Sequence, residues 1–154
     1  MTVNTGTMSL SKAMKYKNRV VQKLNKIASE IQSNNSINTI NPREVDVKAL
    51  MSQHQDIFNH LIDLKALIHE ATMPIQKNLF KIIELKSKIA FLSGINTTHG
   101  AQESYSDKVA NYDAAFRKAD LDAMISAAEV EIDNLQDHVD AFNATTKISI
   151  KPLV

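Results

Sequence analysis

Residues 120–143 read DLDAMISAAEVEIDNLQDHVDAFN, and their spacing decides the fold. Leu121, Met124, Ile125, Ala128, Ile132, Leu135, Val139 and Phe142 recur at steps of three and four. That spacing lays one apolar stripe along an α-helix. The same stretch carries seven acidic residues and no Lys or Arg. Asp120 is placed to cap it, because a carboxylate accepts from the free N–H groups of a first turn. A helix that is acidic and wet on one side and apolar on the other needs neighbours to cover its stripe.

The rest of the chain supplies them. Residues 9–33 read as a first helix, capped by Ser9 or Ser11, with Leu10, Ala13, Met14, Val20, Val21, Leu24, Ile27 and Ile31 on one face. Lys12, Lys15, Arg19, Lys23 and Lys26 form its other face. Asparagine and serine compete for backbone hydrogen bonds, so the run 34–45 breaks the helix; Ile37 and Ile40 leave room there for a short strand. Asp46 caps a second helix reaching about residue 71. Pro74 either ends it or kinks one longer helix. A third helix spans about 74–93, with Gly94 placed for a left-handed C-cap.

Residues 95–102 read as a loop, and 104–119 as a short helix in partial period. The tail 145–151 alternates like a strand. Its partner is open between 37–40, a strand near 95–98, and the same tail of another subunit. The expected fold is mainly α: an antiparallel helical bundle of about four long helices with a short C-terminal β-strand. It forms a single helical domain over 9–151 behind a flexible leader of 1–8.

Composition excludes several classes. The 154 residues carry a net charge of +1, too balanced for a non-specific nucleic-acid binder. Three glycines and three prolines are too few for a turn-rich β fold. The absence of cysteine excludes disulfides, thiolate catalysis and thiolate metal sites. There is neither an apolar run of membrane-spanning length nor an apolar leader, so the expected location is cytoplasmic, in a bacterial or phage-infected bacterial cell.

The charges are laid out by helix. The first helix carries six basic residues and one acid, against seven acids and no base in the last. The acidic face is expected to dock on the basic one, in the same chain or a neighbour. Ile62, Leu67, Phe80 and Phe91 fall off the main stripes, which favours a homo-oligomer.

Chemical motifs are sparse. The five histidines lack the i,i+4 spacing of a helical metal site, and no Glu-x-x-His pair exists for a ferritin-like centre. No nucleophile elbow, phosphate loop or dinucleotide fingerprint is present. The chain is therefore expected to be non-enzymatic and to hold no cofactor or metal. One cluster carries binding chemistry: Tyr105, Tyr112, Arg117 and Lys118, with Phe116 beside them and Arg43 joining if the two loops meet. Aromatic rings stack on a base, and guanidinium and ammonium groups pair with phosphate. The plainer alternative makes Tyr112 and Phe116 core and Arg117 a rim charge.

The layout resembles the septicolysin-like family of small bacterial and phage proteins. The resemblance rests on Met8-Ser9-Leu10-Ser11-Lys12-Ala13 opening a long helix and on Leu64-Lys65-Ala66-Leu67-Ile68 before a break. It also rests on Ile132-Asp133-Asn134-Leu135-Gln136-Asp137 running to Phe142-Asn143-Ala144-Thr145-Thr146. It implies a helical protein that oligomerises. It also implies a phage setting, where small helical oligomers can serve as virion parts or as proteins that bind host immune signals. The expected function is thus an oligomeric binding protein sequestering a small anionic ligand such as a nucleotide signal, without specific nucleic-acid or membrane partners. The alternative is a structural or assembly protein without a small ligand, followed by a membrane-active toxin.

Overall fold

The computed structural model describes residues 6–103, 108–151 and 153. The chain is mainly helical: β1 (Gly6–Ser9), α1 (Leu10–Asn34), α2 (Val47–Thr72), α3 (Gln76–Ser93), β2 (Gly100–Glu103), β3 (Val109–Tyr112), α4 (Lys118–Thr145) and β4 (Lys147–Ile150). A single 3-10 turn, Met73–Ile75, joins α2 to α3, so the chain stays helical through Pro74. Proline removes one N–H and disturbs the ladder locally, and the tighter turn absorbs that loss. The result is three helical runs in place of the expected bundle of about four long helices, with the chain helical through Pro74 as one of the two open readings had it.

The chain divides into two compact units, one of Met1–Pro74 with Phe142–Val154 and one of Ile75–Ala141. In the first, α1 and α2 form a helical hairpin. Ser9 caps α1 by accepting from the Lys12 N–H, and Asp46 caps α2 by accepting from the Ala49 N–H at 3.0 Å. Leu10, Ala13, Val20 and Ile27 of α1 pack with Ile57, Leu61, Leu64 and Ile68 of α2, and Ile150 of β4 joins them.

β4 does not pair with any of the three partners named above. It pairs antiparallel with β1, Gly6 opposite Ile150 and Ser9 opposite Lys147. Gly6, Thr7 and Met8, expected in a flexible leader, are thus a strand that closes the two chain ends of this unit. The Leu10 N–H donates to the Thr146 carbonyl at 2.7 Å and extends the ladder into the start of α1. Residues 37–40 form no strand.

In the second unit α3 and α4 run antiparallel. Lys81 makes an ion pair with Glu131, while Leu92 shares a cavity with Leu121 and Ile125 at the far end. The buried apolar positions of this unit are Ile75, Ile82, Leu85 and Leu92 in the 3-10 turn and α3, and Leu121, Ala128 and Val139 in α4. The short helix expected over 104–119 is replaced in its described part by β3, paired with β2 in a hairpin, Gly100 opposite Tyr112. Gly100 has φ +83, a left-handed conformation that glycine adopts without a Cβ clash. Gly94 does not take the left-handed cap expected of it: its φ and ψ are −87 and −5, and its N–H continues the helical bonding to Ala90. Helix α4 begins at Lys118, where the Asp120 carboxylate accepts from the Arg117 N–H at 2.9 Å.

Candidate functional site

The basic face of α1 is set by the same periodicity that buries its apolar one. Leu10, Ala13, Val20 and Ile27 point into the core, so Lys12, Lys15, Arg19, Lys23 and Lys26 are exposed on the other side. Their steps of three and four align them over about 21 Å of helix. The acids of α4 were expected to dock here. Among the described residues of the first unit no carboxylate lies within ion-pair distance of these five cations. Among the described residues of the second unit, Glu131 of α4 pairs with Lys81 of α3, and Asp122 with Lys118 of its own first turn.

Two grooves open on this face. Met8, Lys12, Lys15 and Arg19 line one of about 350 Å³. Tyr16, Arg19, Val20, Lys23 and Leu153 line the other, of about 320 Å³. Both volumes lie in the range of small-molecule sites. Arg19 borders both, and each groove has an apolar or aromatic wall facing cations. Guanidinium and ammonium groups donate to phosphate or carboxylate oxygens, and the apolar wall shelters a ring or a chain.

Tyr16 is held from behind. Its hydroxyl lies 3.0 Å from His60 Nε2 of α2, and the two rings meet edge to face at 5.8 Å. Burial lowers the His60 pKa below its ordinary 6.5, while the nearby Asp63 carboxylate opposes that shift. The imidazole is therefore neutral near pH 7, which suits a hydrogen bond with a phenol.

A larger cleft of about 430 Å³ lies between α2 and the end of β4. Its walls include His60, Asp63 and Glu70, with Ser149 and Lys151 opposite. Two carboxylates against one ammonium disfavour an anion there. In the second unit, the cavity of about 230 Å³ beside Lys118 is smaller than usual ligand sites.

The residues selected from sequence are divided between the two units. Arg43 belongs to the first unit, where its guanidinium donates to the Asn34 and Asn35 carbonyls at 2.8 and 3.1 Å. It thereby satisfies the open C-terminal end of α1. Tyr112, Arg117 and Lys118 belong to the second unit. Tyr112 is half exposed on β3, as is Phe116 just after it, so neither is core. The Lys118 ammonium lies 2.9 Å from Asp122. Tyr105 lies outside the described residues. His99 braces this segment: its Nδ1 accepts from the Ala114 N–H at 3.1 Å and sits 3.7 Å from the Asp113 carboxylate.

The grooves on α1 were not singled out from sequence. The basic stripe was visible, but it was assigned to docking on the acidic helix. Among the described residues no three His, Asp or Glu side chains gather as a metal site. No helix there is long and apolar enough to cross a membrane. No protein-family model, curated protein or solved structure matches the chain.

Proposed function

We propose that the protein is a non-enzymatic, self-associating helical binding protein that sequesters a small anion, of which a nucleotide is the best-fitting class, on the basic face of α1. The observation that carries this reading is a row of five exposed cations, without an ion pair among the described residues of their unit, opening into two grooves with aromatic or apolar walls. Arg19 is its centre, offering a planar fork of donors to phosphate. Tyr16, Leu153 and Met8 offer the surfaces against which a base or sugar would rest. The likeness to the septicolysin-like family, and the cytoplasmic setting in a bacterial or phage-infected cell, belong to the same proposal. Self-association is supported by Met51, Phe58 and Ile62, which stand exposed at steps of seven and four along α2.

A thermal-shift panel of pyrophosphate, mononucleotides and cyclic nucleotides tests the reading. Saturation at a hundred times Kd stabilises the folded state by about 2.7 kcal/mol. Arg19→Ala should remove the shift, and Arg117→Ala should leave it. Loss of the shift in Arg117→Ala alone would move the site to the segment before α4. No shift with any anion would sink the binding reading and leave the structural or assembly alternative.

A further inference from the structure

Helix α3 has two apolar faces and covers only one. Ile82, Leu85 and Leu92 are buried within its unit. Phe80, Ile83 and Phe91 are 58%, 60% and 68% exposed. At about 100° per residue, Phe80 and Phe91 fall within about 20° of each other, with Ile83 close to one side and Ser87 between. A single exposed phenylalanine is ordinary; two of them with an isoleucine in one stripe mark a contact surface. By usual side-chain areas the three leave about 350 Å² of apolar surface in water. That approaches the apolar half of the ~800 Å² that each partner gives to a stable interface.

The flank of this stripe names the occupant. Glu84 and Lys88 lie on one side of it, four residues apart, and neither makes an ion pair among the described residues. In an antiparallel helix pair, each flank meets its own counterpart. A two-fold axis crossing α3 between Leu85 and Lys86 sets Phe80 against the second copy's Phe91. It also brings Glu84 beside the second copy's Lys88, and both contacts occur twice. Ser87, the small residue of the stripe, falls next to the axis and allows close approach. A parallel pairing would instead set this flank against the opposite one, on the Ile83 side, and leave Glu84 and Lys88 without each other.

We infer that the Phe80, Ile83 and Phe91 face of α3 is an isologous contact with a second copy of this chain, α3 packing antiparallel on α3. The inference rests on the self-association proposed above and places it. The chain has no cysteine, so Ser87→Cys introduces a lone thiol near the axis. Under mild oxidation the full-length variant should form a disulfide-linked dimer, while Ser126→Cys, exposed on α4, should not. By light scattering the unmodified protein should be a dimer. Phe80→Asp/Phe91→Asp should raise the dimer dissociation constant at least about tenfold with helical circular dichroism unchanged, because both side chains are already in water. Glu84→Lys should weaken the dimer, and adding Lys88→Glu should restore it. A monomeric unmodified protein would overturn both self-association and this face. A dimer that survives Phe80→Asp/Phe91→Asp and does not cross-link through position 87 would overturn this face alone.

Discussion

Replacing Leu10 with alanine tests how the first unit is held together. Leu10 is 0% exposed, starts α1, and sits where β1, β4 and the α1–α2 hairpin converge. The substitution removes three carbon groups from a fully buried site, a transfer loss of about 2.4 kcal/mol at ~0.8 kcal/mol per group. A site fixed by backbone on two sides collapses little, so the cavity term raises the total to about 3–4 kcal/mol. The backbone bond from residue 10 to Thr146 survives in alanine, so the loss reports packing alone. Urea unfolding should show that loss, and the melting temperature should fall by roughly 10 °C. Val130→Ala is the control, because Val130 is 59% exposed on α4 and its loss should stay under about 0.5 kcal/mol. Hydrogen exchange should locate the weakening in β1, β4, α1 and α2. A Leu10→Ala loss below about 1 kcal/mol, or no greater than that of the control, would refute the picture of Leu10 as the closing residue of this core.

Three further outcomes follow from named contacts. The folded pKa of His60 lies below its unfolded value of about 6.5, so the unfolded chain binds its proton first as pH falls. Its contribution to stability is complete above pH 6.5 and is lost on acidification through the folded pKa; urea midpoints of His60→Asn should lack that component, and an unchanged pH profile would argue against the assignment. Asp46→Ala removes the cap of α2 and should cost about 1 kcal/mol in thermal or urea unfolding, with Asp46→Asn retaining most of it. Arg43→Ala frees two carbonyls at the end of α1 and should cost about 1 kcal/mol while leaving anion affinity unchanged; a drop in affinity would return Arg43 to the binding site.

The helices were legible because their information is local. Steps of three and four located the buried face of α1 and, apart from the exposed Met124, that of α4, and Ser9 and Asp46 marked two helix starts through their own side chains. The β1–β4 pair was not legible. A four-residue strand of Gly, Thr, Met and Ser carries no alternation, and its partner lies at the other end of the chain. The β2–β3 hairpin was missed because Val109, Tyr112 and Phe116 also suit a helical period. Pro74 was ambiguous for a physical reason: one 3-10 turn lets helix continue past a residue that cannot donate. The binding face was half legible. Its cations stand in the sequence at helical spacing, but whether the acids of α4 neutralise them is a tertiary fact. Arg43 illustrates the converse, since a guanidinium that looks free in sequence is engaged on the end of a helix.

The most direct test of the central claim is a titration of the ¹⁵N-labelled full chain with ADP, followed residue by residue. The account predicts saturable shifts centred on Lys12, Lys15, Tyr16, Arg19 and Lys23, weakening as salt screens the cations and absent in Arg19→Ala. An unchanged spectrum at millimolar ADP, or shifts confined to the surroundings of Tyr112 and Arg117, would contradict it.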